Sequence, residues 1–508
     1  MTAAAVHLWR LVKWGRVLAR HGALTGIERD PNTPAPVRRV ARILRFGARV
    51  PKVPAYASAF QQIGPAAIKL GQALATRPDL VGDDAARDLS RLQDALPPAP
   101  FERIRAAVEQ ALEGPLERFF SEFDPEPVGA ASIAQVHRAV TTDGRQVAVK
   151  VLRPCIEEDF ERAIETYEWA AARVERMGGE AARLRPRIVI ATFRQWTMRE
   201  LNLRREAASA SELRETMVAD TGFYVPEIDW SRTARRVLTL EWIDGIKLTD
   251  RNALVVAGHD LPALARTLVR AFLRQAIVNG FFHADLHQGN LFALPDGRLA
   301  AVDFGIMGRI DRQARIWLAE ILYGLITGDY RRVAEIHFEA QYVPGHHNEG
   351  EFATALRAVG EPIRGLAVKD ISIGQMLEGL FTITRDFDMP TQPHLLLLQK
   401  TMVMEEGVAT ALDPDINMWE TAEPFLREWL RSELGPEARL ADELIRNWRA
   451  LRSLPDLIRR IDHYYPSPGA APPAPPLREI AVLPRRTGSY VLIALAAALV
   501  GFAGAQLI

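Results

Sequence analysis

Three oxygen-bearing side chains stand at spacings that suit phosphoryl transfer. Asp285 and Asn290 lie five positions apart in His283-Ala-Asp285-Leu-His287-Gln-Gly-Asn290, and Asp303 follows thirteen positions later in Asp303-Phe304-Gly305. Asp285 suits the work of orienting or deprotonating an attacking hydroxyl or water. Asn290 and Asp303 offer the hard oxygen ligands that Mg²⁺ prefers. An Asp-Phe-Gly alone occurs by chance. The paired spacing is much harder to obtain by accident, and an apolar, strand-like run from Leu299 to Val302 leads directly into Asp303. His283 and His287 suit hydrogen bonding inside this loop better than a zinc site.

Such a site needs elements to position it. The segment Pro127 to Val140 holds a small-residue loop (Val128, Gly129, Ala130, Ala131, Ser132) between two strand-like stretches, and Thr141 to Arg145 reads as a hairpin turn. Gln146 to Val151 then reads as a strand carrying Lys150. Strand, loop, strand, turn and strand with a lysine is the layout of a protein-kinase N-lobe. In it the loop approaches nucleotide phosphates, and Lys150 pairs with those phosphates and with a glutamate from a following helix. The helical stretches are expected at 157–180 and 186–215, with Glu200 the first choice for that partner and Glu206 the second. Val237 to Gly245 reads as a strand and hinge, where main chain beside Glu241 would meet an adenine ring. An apolar helix over 261–280 delivers the chain to Asp285, and the remainder is helical to about residue 462.

Before all of this, residues 33–100 show helical periodicity broken by prolines. Lys69, Gly71 and Gln72 sit inside an apolar helical run there. Lys and Gln at such positions each require a polar partner or a cavity.

The chain has 508 residues, enough for two or three domains. Lys plus Arg and Asp plus Glu both number 63, so no bulk field points to nucleic acid. The single cysteine, Cys155, excludes an internal disulfide framework, and the body of the protein reads as cytosolic. Tyr490 to Ile508 is 19 uncharged residues, about 28 Å as a helix, and reads as a single-pass anchor in the inner membrane. Arg485 and Arg486 precede it, after a proline-rich tether. Ala497, Gly501 and Ala505 form a stripe suited to a homodimer contact within that helix. Near the N-terminus, Arg10, Lys13, Arg16 and Arg20 interrupt an apolar run. That pattern fits a membrane-surface helix and a helix docked on its own domain equally well.

Taken together, these residues resemble the UbiB/AarF family of atypical, protein-kinase-like ATPases linked to ubiquinone biosynthesis. The resemblance rests on Lys69-Leu-Gly71-Gln72 with Thr76-Arg-Pro-Asp79, on the loop and strands from Val128 to Pro154, on Glu200 to Ala207, and on the Asp285, Asn290 and Asp303 motifs. It implies an α+β, bilobal protein-kinase-like fold with an N-terminal helical extension. The expected order is a basic amphipathic segment (1–32), the extension (33–113), an N-lobe (114–245), a helical C-lobe (246–462), a linker (463–489) and the anchor (490–508). Family membership adds Lys69 and Gln72 to Asp285 and Lys150 as catalytic-site residues, projecting where a protein substrate would bind. It further implies ATP or ADP with Mg²⁺, stimulation by anionic membrane lipid, and partnership with quinone precursors or quinone-biosynthesis enzymes. Phosphorylation of a hydroxyl substrate and a nucleotide-gated scaffold remain as alternatives. Leu286 and Gln288 replace the prolines usual in the family, and Asn202 replaces an acidic residue.

Overall fold

The computed structural model describes residues 3–29, 35–47, 51, 53–75, 81–92, 97–177, 185–364, 382–390 and 393–434. Their contacts form two units. The first runs to Ala207 and resumes over Ile228–Trp242, and the second takes Ala208–Glu227 and the described residues from Ile243 onward. The strands, in chain order, are β1 Phe120–Ala130, β2 Ala134–Thr141, β3 Gln146–Leu152, β4 Phe223–Tyr224, β5 Val237–Glu241, β6 Ile246–Lys247, β7 Phe281–His283, β8 Leu291–Ala293, β9 Leu299–Ala301 and β10 Met307–Arg309.

In the first unit an antiparallel sheet runs in the order β1-β2-β3-β5. β3 lies between two partners, which is why it is almost wholly apolar. Val147, Val149 and Val151 pack with Ile104 and Val108 of helix Phe101–Leu112, with Phe120 and with Val237. The β2–β3 connection turns at Gly144, whose φ of +86° favours glycine, and Arg145 N donates to Thr141 Oγ1 at 2.9 Å. The N-terminal helix Ala3–Arg20 docks on its own domain. Leu11, Leu18 and Ala19 are buried, His7 Nδ1 meets Thr166 Oγ1 at 3.0 Å, and Arg10 donates to Arg162 O at 2.9 Å.

In the second unit one sheet runs β4-β9-β8-β6 and a separate pair joins β10 to β7. Helix Leu261–Leu273 is capped by Asp260, widens into a π-type turn over Arg274–Asn279, and stops at Gly280 with φ +65°. Its Phe272 and Ala276 pack with Phe282, Ala284, Ile310 and Leu398 beneath the loop that follows β7. A second core holds Tyr330, Val333, Phe352 and Leu356.

That second core contains a pH-sensitive group. Burial lowers the His337 pKa from the ordinary 6.5 to about 4, and its ring sits 5.1 Å from that of Phe352. The folded state therefore prefers the neutral ring, and the unfolded chain takes up the proton first. The stability that neutral His337 confers is complete above about pH 6.5 and is lost as pH falls toward 4, about 3 kcal/mol in all. Urea midpoints measured across that range should fall more steeply for the natural chain than for His337→Gln.

The membrane-spanning helix, and the single-pass inner-membrane placement drawn from it, do not stand. Among the described residues no helix is long and apolar enough to cross a membrane. Residues 490–508, with the small-residue stripe at Ala497, Gly501 and Ala505, lie outside the described residues, as do 435–489 and Thr76 to Leu80. Apolar composition and sufficient length are necessary for a span but do not establish one.

Candidate functional site

In the first unit Lys150 is set by its strand. Val149 and Val151 point into the core, so Lys150 emerges on the opposite face of β3. Its Nζ lies 2.7 and 3.0 Å from the two carboxylate oxygens of Glu206, with side chains only 13% and 8% exposed. The partner is therefore Glu206 and not Glu200, which corrects the first choice made from sequence. The reason is a break in the helix expected over 186–215. One helix covers Pro186–Glu200, Leu201 and Asn202 interrupt it, and a second covers Leu203–Thr216. Leu201 and Leu203 are both fully buried, and Leu203 N donates to Arg235 O at 2.9 Å. Those anchors restart the helix, so Glu206 falls in a first turn, where the helix dipole favours a carboxylate.

Glu200 closes the preceding helix and pairs instead with Lys69 Nζ at 2.5 Å. That answers the need for a polar partner in helix Pro65–Ala75. Gln72 Nε2 reaches Leu92 O at 3.5 Å. Gly71 has a packing reason of its own, since an added Cβ would stand 2.4 Å from Leu92 and 2.8 Å from the Phe60 ring.

The small-residue loop is tight. Ala131 N donates to Ala134 O at 2.8 Å and Arg153 Nε to Ala131 O at 2.8 Å. Val128 is half exposed and Ser132 is fully buried. A Cβ on Gly129 would meet no atom within 4 Å, so packing does not demand glycine at that point. Glu241 ends β5 opposite Val147, and Trp242 N donates to Gln146 O. Beside the loop, sequence reading missed a buried polar network. His137 Nδ1 lies 2.7 Å from Asp124 O, an acceptor only, so that nitrogen carries the proton. Its Nε2 then accepts from Gln135 Nε2 at 2.7 Å, while Gln135 Oε1 accepts from Ala99 N. Burial lowers the His137 pKa, consistent with that neutral form.

In the second unit the acidic motifs meet at a hairpin. Leu291 pairs with Ala301, and Val302 N donates to Asn290 O at 2.9 Å. Asn290 and Asp303 consequently flank one end of the β8–β9 hairpin. Asn290 Nδ2 donates to Asp285 O at 3.1 Å, which draws the Asp285 turn to the same end. Asp303 has φ +65°, a left-handed conformation that Asp tolerates better than most residues. His283 organises the group. Its Nδ1 accepts from Asp285 N at 3.1 Å, and its ring lies 5.5 Å from Phe304, edge to face. Complete burial lowers its pKa, opposed by the Asp303 and Asp285 carboxylates. His287 Nδ1 accepts from Gly289 N, so both histidines serve the loop's main chain. Leu286, where the resemblance led us to expect proline, is fully buried.

The residues fit a magnesium ion. Asn290 is 9% exposed, and its amide nitrogen is committed to Asp285 O, leaving the amide oxygen as the atom offered to a cation. With the Asp303 carboxylate this is an oxygen donor set of the kind Mg²⁺ selects.

Sequence reading also missed what supports the loop from elsewhere. Gln275 Oε1 accepts from His283 N, and the Thr401 hydroxyl, which donates to Leu397 O at 2.8 Å, lies 3.4 Å from Ala284 O. One turn after Thr401, Glu405 is fully buried with neither carboxylate oxygen hydrogen-bonded, and burial pushes its pKa well up. An acid in a leucine-rich stretch was the available signal.

Comparison with known proteins bears on this arrangement. The model of the ABC1 atypical kinase-like domain matches residues 91–337, and that of the UbiB helical domain matches 356–417. A "Probable protein kinase UbiB" of Marinobacter nauticus is 41% identical over 382 residues, covering 74% of this chain and 70% of that protein. Its namesake in Aeromonas salmonicida is 40% identical over 385 residues, covering 75% and 70%. Among solved structures, the complex of Rv3197 with erythromycin from Mycobacterium tuberculosis matches with a TM-score of 0.51 at 23% identity. It covers 64% of this chain and 83% of that one, a likeness of fold. With two curated relatives at about 40% identity and both domain models matched in order, the chain belongs to the UbiB family and carries an atypical kinase-like domain followed by the UbiB helical domain.

Proposed function

We propose that the chain is a Mg²⁺-dependent ATPase or atypical kinase that supports ubiquinone biosynthesis. The observation that carries this reading is the β8–β9 hairpin, which holds Asn290 and Asp303 at one end beside the Asp285 turn. In this reading Asn290 and Asp303 hold the metal ion, and Lys150, fixed by Glu206, holds nucleotide phosphates beside the loop from Val128 to Ser132. Asp285 orients an attacking hydroxyl or water and accepts its proton. Bound magnesium supplies charge neutralisation on the phosphate oxygens. Lys69, held in place by Glu200, and Gln72 are assigned to restricting substrate access. Anionic lipid and quinone-biosynthesis enzymes are the partners this reading names.

Two measurements test it. Purified full-length protein should release phosphate from ATP only with Mg²⁺, and faster with anionic vesicles. Cells lacking the protein should accumulate a quinone precursor that the natural chain, but not Asp285→Asn, clears. Complementation by Asp285→Asn would favour the scaffold reading. Transfer of labelled phosphate to a hydroxyl compound, increased in Lys69→Ala, would favour the kinase one.

A further inference from the structure

Among the described residues one group of side chains outside the phosphoryl-transfer motifs has the composition of a metal site. His346 and His347 lie in the turn between helices Tyr330–Glu339 and Glu349–Arg364, and Asp388 follows from a later segment of the same unit. Each offers one donor atom, and the three donors lie within 4.8 Å of one another. We propose that His346, His347 and Asp388 bind a divalent transition-metal ion of the zinc class, separate from the magnesium site proposed at Asn290 and Asp303.

The geometry favours an ion over a simple contact. His347 Nε2 is buried with no hydrogen-bond partner, and the nearest carboxylate oxygen, Asp388 Oδ2, stands 3.6 Å away. That separation is too long for a hydrogen bond, so the buried His347 nitrogen faces an exposed carboxylate and stays unsatisfied itself. The two imidazoles are adjacent, with ring centroids 4.2 Å apart. Zinc bonds of about 2.0–2.1 Å would place donors of one tetrahedron about 3.3 Å apart. The His347 and Asp388 donors are already near that spacing. His346 is exposed, and its donor lies within 4.8 Å of the other two.

The site is also held from behind. His347 packs on Phe387 at 5.2 Å, Phe387 on Phe352 at 4.9 Å, and Phe352 on His337 at 5.1 Å. One ligand and the residue next to another thus pack against the core, which presets their spacing before any ion arrives. Two imidazoles and one carboxylate select zinc-class ions over magnesium, which prefers an all-oxygen set. The exposed side leaves room for water to complete the coordination. An ion there would tie the 340–348 turn to the segment around Asp388, and its binding energy would stabilise the second unit.

The test uses full-length protein stripped of metal by chelator and titrated with zinc chloride alone, read by calorimetry and by thermal unfolding. Expected are one zinc per chain bound through these residues, a Tm raised by several degrees, and an affinity reduced by roughly tenfold or more in both His346→Ala and Asp388→Asn. His346 is exposed and Asp388→Asn preserves shape, so both variants should fold, which circular dichroism checks. Zinc binding of unchanged affinity in both variants, or no zinc-dependent change in Tm, overturns the proposal. Phosphate release with Mg²⁺ and ATP is measured separately and does not enter this outcome.

Discussion

Glu206→Gln is expected to lower the unfolding free energy by on the order of 3 kcal/mol, because it leaves the Lys150 ammonium in a largely buried place without its counter-charge. Both carboxylate oxygens lie within 3.0 Å of Nζ, so the substitution removes a two-point contact. ATP turnover should fall by roughly a hundredfold or more, since a lysine released from its anchor no longer presents its charge at a fixed point. Glu200→Gln supplies the contrast. Its carboxylate is 30% exposed and pairs with Lys69, so the stability cost should stay near about 1 kcal/mol. Urea denaturation and single-turnover ATP hydrolysis on the two variants decide the matter. Equal effects at both positions would overturn the assignment of Glu206 as the partner that matters.

Asp303→Asn should lose Mg²⁺-dependent nucleotide binding by at least roughly a hundredfold while leaving Tm nearly unchanged. The choice of asparagine follows from the backbone. At φ +65° Asp303 occupies the left-handed region, which Asn tolerates as readily as Asp and alanine does not. The amide also retains an oxygen for the long contact from Gly305 N, 3.4 Å in the natural chain. The variant thus removes a charge and little else. Titration of a fluorescent ATP analogue with and without Mg²⁺ reads the result directly. Affinity that is equally metal-dependent in Asp303→Asn would show that the ion is held elsewhere.

Much of this arrangement was legible in the residue order, and the reasons are local. Asn290 and Asp303 bracket a hairpin whose strands are only three residues each, so the spacing in the sequence nearly determines the spacing in space. The β3 strand was legible because an interior strand must be apolar, and a lysine in it must serve some purpose. The break at Leu201 and Asn202 was not legible. Helix propensity runs on through Glu200 to Thr216, and the interruption is imposed by burying Leu201 and Leu203 and by the bond from Leu203 N to Arg235 O. That carbonyl lies 32 positions along the chain, beyond the reach of any local pattern. The same limit hid the roles of Gln275 and Thr401, which reach the Asp285 loop from other helices.

The sequence by itself determined which candidate groups the chain carries and in what order, because the types and spacing of Asp285, Asn290, Asp303 and Lys150 are one-dimensional facts. It also raised the question of why Lys69 and Gln72 sit in an apolar helix. Only the tertiary structure decided which glutamate serves which lysine, Glu206 for Lys150 and Glu200 for Lys69. Only it brought His346 and His347 beside Asp388, 41 positions from His347. Ion pairs and ligand sets depend on distance in space, and packing of buried side chains is what sets that distance.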